Sequence, residues 1–295
     1  MTGIIIASSG GLYTVKTEEG TVQCRPRGVF RHKHEKVLVG DRVELTQEGE
    51  GTVISAISAR KNALIRPPMA NLDYIFVTAA ASSPEPDPFM LDKLTTIAEY
   101  NKIQPVIVIG KCELDRETAA RLCDIYKLAG YDTFTVSCHT GEGVEDVKRY
   151  IDELPKGSIS AFAGASGVGK SSLMNLLFPD LGLETSSVSV KTERGRHTTR
   201  SVTLYPSGEG YIADTPGFSM LDFEHFDFFT KDDLPDTFPE FAELFGSCKY
   251  TKCTHTKEDG CAILAAVKAG EIAKSRHDSY LALYEVLKNK HAWDK

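Results

Sequence analysis

The sequence predicts a multidomain chain with an N-terminal all-β OB-fold barrel, a central α/β unit carrying a phosphate-binding loop, and a mostly α C-terminal segment organised by a metal. Three observations carry this reading. Short apolar runs punctuated by glycines fill residues 1–65. Alternating strand and helix patterns then surround Gly164-Ala165-Ser166-Gly167-Val168-Gly169-Lys170-Ser171. Three cysteines and a histidine crowd into residues 248–261.

The barrel strands are predicted over Ile4 to Ala7, Leu12 to Lys16, Thr21 to Cys24, Arg42 to Leu45 and Thr52 to Ile57. Gly10-Gly11, Glu19-Gly20, Gly40-Asp41 and Gly49-Glu50-Gly51 separate them as turns. Five short strands in so short a stretch make a small closed barrel. Arg60 to Pro68 reads as a connector stiffened by Pro67-Pro68. Net charge is −7, which excludes a protein coated in basic surface. Residues 1–70 differ, with ten Lys/Arg against seven Asp/Glu, a balance of 10 − 7 = +3. Arg25, Arg27, Arg31, Lys33 and Lys36, beside His32 and His34, offer footing to a phosphate-bearing partner. The alternative is a solvated loop.

From Asp73 the period changes. Strands are predicted over Tyr74 to Ala79 and over 104–109, 133–136 and 159–163, alternating with helices over Phe89 to Tyr100, Asp115 to Leu128 and 143–153. This is the pattern of a doubly wound parallel sheet. Val202 to Tyr205 and Tyr211 to Ala213 add two strands. The glycines at 164, 167 and 169 let backbone N–H groups turn inward around phosphate oxygens at a helix N-terminus. Lys170 then reaches the β- and γ-phosphates, the Ser171 hydroxyl can ligate Mg²⁺, and Ser172 follows in the first turn. The base-reading candidates come before this loop. Gly110-Lys111-Cys112-Glu113 resembles Asn-Lys-x-Asp with two of its three specified residues replaced, and Ser137-Cys138-His139 resembles the Ser-Ala-x segment that caps a guanine carbonyl. Thr198-Thr199 and Asp214-Thr215-Pro216-Gly217 come after it. The order base, base, phosphate, switch I, switch II is a rotation of the common one, and points to a circularly permuted P-loop GTPase.

Cys248, Cys253, His255 and Cys261 form a Cys₃His set, which suits a closed tetrahedral Zn²⁺ better than Mg²⁺ or Ca²⁺. One structural zinc per chain would tie together a segment too small to fold on its own core. Free buried cysteines with a chance histidine are the alternative. Seven cysteines fit poorly with a disulfide framework in a chain of this size; Cys24, Cys112, Cys123 and Cys138 read as plain core or loop residues. Tyr280, Leu283, Tyr284 and Leu287 share one face of a final helix. No apolar run approaches the roughly 20 residues that span a bilayer. Met1 to Ser9 lacks the basic start of a signal peptide. The expected location is the cytoplasm, without a membrane partner.

Together these features resemble the bacterial ribosome small-subunit-dependent GTPase A family over essentially the whole chain. The metal set continuing through Ala265-Ala266-Val267, Gly270, Ile272, Arg276 and Ser279-Tyr280 is similar to its zinc domain. Gly195-Arg196-His197-Thr198-Thr199 resembles its switch I, and Asp214-Thr215-Pro216-Gly217-Phe218 its switch II. Pro26-Arg27-Gly28 and Gly40-Asp41 also resemble it. The resemblance implies a monomeric GTPase that alternates between GTP and GDP, docks on the small ribosomal subunit through its barrel and zinc domains, and assists late maturation of the rRNA. It implies an OB-fold domain over 1–65, a GTPase domain over 66–222 and a zinc-binding domain over 223–295. Asp214 should hold Mg²⁺ through water, the Gly217 N–H should sense the γ-phosphate, and Thr198 or Thr199 should close over the metal.

Two departures matter. Glu113 stands where the family has Asp, and Gly110 where it has Asn or Thr. Guanine preference is expected to survive with a loss of about 1 kcal/mol, adenine or relaxed specificity being the alternative. Phe218 occupies the place where many GTPases keep a water-positioning Gln. His197 is the nearest candidate to orient the attacking water, and an exposed loop histidine is the bland reading. A constitutive RNA-binding module, its fold merely stabilised by nucleotide, is the alternative to a subunit-activated enzyme.

Overall fold

The computed structural model describes residues 1–28, 30, 36–49, 51–65, 67–179, 202–214 and 229–288. His197, Thr198, Thr199, Gly217 and Phe218 lie outside the described residues, as do Arg31, His32, Lys33 and His34 of the basic stretch. The described residues divide into two compact units, one drawn from 1–75, 150–162 and 202–214, the other from 76–149, 163–179 and 229–288.

In the first unit, β1 (Thr2–Ser9), β2 (Leu12–Thr17), β3 (Gly20–Pro26), β4 (Arg42–Glu48) and β5 (Gly51–Ile57) form the barrel. β1 pairs with both β2 and β4, β2 with β3, β3 with β5 in parallel, and β5 with β4, so the ring closes. Closure is driven by alternation: Ile5, Val15, Cys24, Val43, Leu45 and Ile54 point inward and are buried. All five strands fall where the periodicity places them. Gly40 sits at φ +90°, where an added Cβ would lie 2.0 Å from the Ala70 carbonyl oxygen. The adjoining Asp41 is fully buried, takes the Leu38 N–H at 2.8 Å, and is gripped by Arg60 at 2.7 and 2.8 Å. Of the basic stretch, Arg25 and Lys36 are exposed, while Arg27 pairs with Glu48 at 2.7 Å.

The connector expected at Arg60 to Pro68 instead contains a small hairpin, β6 (Ala63–Leu64) with β7 (Met69–Ala70). Two residues per strand are too few to show a period. The pairing is extended by Asn62, whose amide donates to the Leu72 carbonyl at 2.8 Å and accepts its N–H at 3.0 Å. β11 (Ile159–Ala163) runs parallel to β13 (Gly210–Asp214), which forms a hairpin with β12 (Thr203–Ser207), and β12 meets β1 at Ala7.

The second unit alternates β8 (Tyr74–Ala80), α1 (Pro88–Tyr100), β9 (Gln104–Gly110), α2 (Arg116–Leu128), β10 (Asp132–Thr135) and α3 (Val144–Asp152), then the glycine loop and α4 (Lys170–Leu177). The sheet order is β10-β9-β8, with β9 and β10 parallel. β8 and β9 are buried along nearly their whole length, as continuous apolar strands covered on both faces should be. Asp87 and Asp115 cap α1 and α2 by accepting the N–H groups of Met90 and Thr118, and Gly130 ends α2 at φ +90°.

Short 3₁₀ turns at Pro235–Thr237 and Pro239–Leu244 lead through the cysteine segment to α5 (Ala262–Ala269) and α6 (Lys274–Lys288). Tyr280, Leu283 and Leu287 are buried and Tyr284 is half-buried, as the helical period requires. Arg276, on the same side, is fully buried with Asp92 at 2.7 Å and Glu240 at 2.8 Å. Removing one partner of such a pair leaves an uncompensated buried charge and costs roughly 3–5 kcal/mol.

Glu99 lies close to this cluster, half-buried near Tyr131, Arg276 and Glu240, and burial pushes its carboxyl up to about 7. A carboxyl whose folded pKa is raised stabilises the fold fully below its ordinary 4.5 and loses that contribution as pH climbs to about 7. Glu99→Gln should therefore unfold at nearly the parent's temperature at pH 4.5, with the variant gaining relative to the parent as pH rises to 8. Thermal melts across that range check it; a constant difference would remove Glu99 as the titrating group.

Candidate functional site

β11 empties into the glycine loop. Gly164, at φ +140°, lies where any Cβ would come within 2.1 Å of the Thr78 carbonyl oxygen of β8. Gly169 takes φ +104° as the N-cap of α4, and the Leu173 N–H reaches back to its carbonyl at 2.9 Å. The loop is thus a backbone surface with no side chain between it and its neighbour. Lys170 bends over it, donating to the carbonyls of Gly164 at 2.8 Å and Ala165 at 2.6 Å. Burial lowers its ammonium to about 8. A half-buried ammonium that, among the described residues, is held by neutral carbonyls is a place for an anion.

The two segments preceding the loop in sequence converge beside it. β9 ends at Gly110, and Lys111 follows at φ +56° with its ammonium donating to the Ser83 carbonyl. β10 ends in a loop where Ser137 is fully buried and its hydroxyl accepts the Thr140 N–H at 3.1 Å. Gly143 closes this turn at φ +71°, its missing Cβ leaving room for the Thr135 carbonyl. Arg116 and Glu142 bridge the segments with a forked pair at 2.5 and 2.6 Å.

Between these parts lies a cavity of about 580 Å³. Of the residues chosen from sequence, Gly110, Lys111, Glu113, Cys138, Val168, Gly169 and Ser172 line it. Ser166, Gly167 and Ser171 belong to the adjoining loop and first turn, with Ser166 and Ser171 exposed. Cys112 is buried, its N–H bonded to the Val136 carbonyl at 3.2 Å. Leu114 and His139 also line the cavity. Leu114 directly follows the motif, and a rule extending the motif by one residue would have found it. Gly110 faces the phosphate loop closely: a Cβ there would stand 3.1 Å from the Val168 carbonyl oxygen.

Hydrogen bonding with the Ser137 hydroxyl holds the Glu113 carboxyl below its usual range. Its Oε2 is buried and, among the described residues, has no hydrogen-bond partner. A buried ionised acceptor facing a cavity calls for a ligand donor.

Asp214 ends β13, one residue past the Ala213 that pairs with Ala161 of β11, and burial raises its carboxyl. A carboxylate such as that of Asp214 and a hydroxyl such as that of Ser171 are each hard oxygen donors of the kind that suits Mg²⁺.

The cysteine segment forms a second centre. One ligand atom each from Cys248, Cys253, His255 and Cys261 lies within 4.8 Å of the others. Tetrahedral zinc, with bonds of roughly 2.3 Å to sulfur and 2.0–2.1 Å to nitrogen, separates its ligands by about 3.8 Å for two sulfurs and about 3.5 Å for sulfur and nitrogen. Here Cys248 and Cys261 sulfurs stand 3.9 Å apart, and His255 Nδ1 lies 3.6 and 3.5 Å from them. The donor set therefore fits zinc in kind, and Cys248, His255 and Cys261 fit it in spacing. Burial raises the Cys253 and Cys261 thiols, so thiolates form only around a cation. Burial alone would also raise Glu258, but hydrogen bonds from the Thr254 hydroxyl and neighbouring N–H groups outweigh it and bring it down to about 2. That carboxylate accepts the Thr254, Thr256 and Lys257 N–H groups at 2.8, 3.0 and 3.0 Å, pinning the loop that carries Cys253 and His255.

A closed OB-type barrel, two cavity-lining loops that precede the glycine loop in sequence, and a Cys₃His segment at the C-terminus define a circularly permuted P-loop GTPase. The family model described as RsgA GTPase matches residues 57–224, and that described as RsgA N-terminal domain matches residues 2–56. The chain belongs to the RsgA GTPase family, and it is a GTPase. It is 43% identical over 292 residues to the small ribosomal subunit biogenesis GTPase RsgA of Caldanaerobacter subterraneus subsp. tengcongensis, covering 98% of this chain and 96% of that one. The protein of the same name from Moorella thermoacetica is 41% identical over 297 residues, covering 99% and 100%. The crystal structure of YjeQ from Thermotoga maritima superposes with a TM-score of 0.83 at 34% identity, covering 98% of this chain and 99% of that one. That of YloQ, described as a circularly permuted GTPase, gives 0.81 at 33%, covering 98% and 96%.

Cys253→Ser should lose the metal and lower the melting temperature, whereas the parent purified without chelator should carry one zinc per chain. Elemental analysis beside a thermal melt checks both, and a metal-free parent of unchanged stability would end the zinc assignment.

Proposed function

We propose that this GTPase acts in the maturation of the small ribosomal subunit, binding its rRNA, responding to it with faster turnover, and signalling through GTP- and GDP-bound states. The observation that carries this is similarity along 98–99% of the chain to relatives named for small-subunit biogenesis. The proposed working parts are an OB-fold domain over 1–65, a GTPase domain over 66–222 and a zinc-binding domain over 223–295, acting in the cytoplasm as a monomer. Exposed Arg25 and Lys36 on the barrel supply part of the electrostatic footing for RNA.

In this reading residues 164–172 cradle the phosphates, and Lys170 sets its charge against the β- and γ-oxygens. Ser171 and Asp214, with Thr198 or Thr199, hold Mg²⁺, which neutralises phosphate charge when bound. Glu113 receives the guanine edge on its Oε2, which has no partner among the described residues, with Lys111 and Cys138 bordering the base. The Gly217 N–H senses the γ-phosphate, and His197 orients the attacking water in place of the residue that Phe218 cannot be. Cys248, Cys253, His255 and Cys261 hold a structural zinc. An orienting group brought into place only on docking leaves intrinsic hydrolysis slow.

Three measurements test this. Lys170→Ala should lower GTP turnover by at least about 100-fold with the fold intact, because it removes charge stabilisation of the transition state. Purified small subunits should raise the parent's turnover by a factor on the order of 10³, and His197→Ala should lose most of that rise with GTP affinity nearly unchanged. No stimulation of the parent would favour a constitutive RNA-binding role instead. In competition binding, GDP should outcompete ADP by at least about tenfold, and Glu113→Ala should erase the difference. Equal affinities in the parent would take Glu113 out of base recognition.

A further inference from the structure

Within the second unit, the metal-ligand loop and the nucleotide cavity are joined through α6 and α1. His277 Nε2 donates to the His255 carbonyl at 2.8 Å, and the Tyr280 hydroxyl donates to the Thr254 carbonyl at 2.7 Å. α6 thus grips the backbone of the ligand loop. From the same helix, Arg276 Nη1 reaches α1, donating to Asp92 at 2.7 Å and to the Thr95 hydroxyl at 3.2 Å. Its Nε and Nη2 donate to Glu240 at 2.8 and 3.2 Å. The chain just before α1 meets Lys111, which lines the cavity, and the glycine loop. The Ser83 carbonyl accepts the Lys111 ammonium, and the Pro84 Cδ lies 3.9 Å from where a Cβ on Gly167 would stand. At the other end of α1, Tyr100 meets Phe229 edge-on with centroids 4.7 Å apart.

Stability alone does not call for this arrangement. A buried cluster of Arg276 with Asp92 and Glu240, packed 4.6 Å from the Phe238 ring, could as a whole be replaced by apolar side chains of similar volume at little cost. What a planar fork supplies is position, since it satisfies two carboxylates and a hydroxyl only at one setting of α1 against α6. α1 is a single capped helix, so a shift at Asp92 moves its N-terminus and the Ser83-Pro84 segment leading into it.

We propose that Arg276 is a positioning residue of the GTPase. It fixes α1 so that Ser83 and Pro84 meet Lys111 and Gly167, and it thereby makes nucleotide affinity depend on the metal-organised loop. This rests on the reading of Lys111 and the glycine loop as nucleotide-binding.

The test uses the full chain with its zinc. Arg276→Lys keeps the charge and loses the fork. It should raise the GDP dissociation constant about tenfold, leave turnover at saturating GTP within about a factor of two of the parent, and retain its zinc. Hydrogen exchange should quicken over residues 83–100. Lys111→Met should weaken GDP binding in the parent and add less than that in the Arg276→Lys background. Stripping zinc from the parent should raise the GDP dissociation constant, and stripping it from Arg276→Lys should add little. Should Arg276→Lys fail to fold, Asp92→Asn, which softens the same contact, carries the same measurements. If Lys111→Met is weakened while Arg276→Lys or Asp92→Asn binds GDP as the parent does, or if the effects simply add, the proposal is overturned alone. If Lys111→Met binds GDP as the parent does, the reading of the pocket falls and takes the proposal with it.

Discussion

The second unit depends on one backbone approach, the meeting of Gly164 with the Thr78 carbonyl at a separation that no side chain could share. A phosphate site needs N–H groups bare of side chains and a framework rigid enough to hold them pointed inward. Packing the loop directly on β8 supplies both. The same device recurs at Gly143, whose missing Cβ makes room for the Thr135 carbonyl, and at Gly110 against Val168. These approaches bring main chain close on the side of the cavity where Gly110 and Val168 line it. Its chemistry is left to a few side chains that project into it, Lys111 and Glu113 foremost.

Much of this was legible in the sequence because the physics is local. Barrel strands announce themselves by period and by glycine turns, and all five appear in their expected places. The Cys₃His set could be recognised from residue type, and its four ligand atoms gather within 4.8 Å of one another. The β6–β7 hairpin was not legible, because its pairing is completed by the Asn62 side chain instead of by a run of apolar residues.

Arg276 is the more instructive case, named in the sequence only within the run that resembles the zinc domain, with its burial not read there. Charged residues are read as solvent-facing, and its partner Asp92 lies 184 positions away. A signal was nevertheless present: Arg276 falls in the stripe that continues with Tyr280, Leu283 and Leu287, so the helical period puts a cation on the buried face. Two buried carboxylates on separate elements were needed to make that tolerable, and no local pattern links them. Glu113 is similar. Its departure from the expected Asp is visible in the sequence, but the unpartnered oxygen that gives the departure meaning is a property of the folded cavity.

The rotated order of the nucleotide motifs bears on how the protein is made. Synthesis proceeds from the N-terminus, so β8, β9 and β10 with the loops that follow β9 and β10 exist before residue 164 has been added. A nascent chain at that stage has half a pocket and nothing with which to hold phosphate. On the proposed reading of the cavity, GTP has no phosphate cradle from which to template these strands, and they find each other by their own packing. The unbroken apolar runs of β8 and β9, buried almost from end to end, meet that requirement by giving the early sheet a collapse of its own.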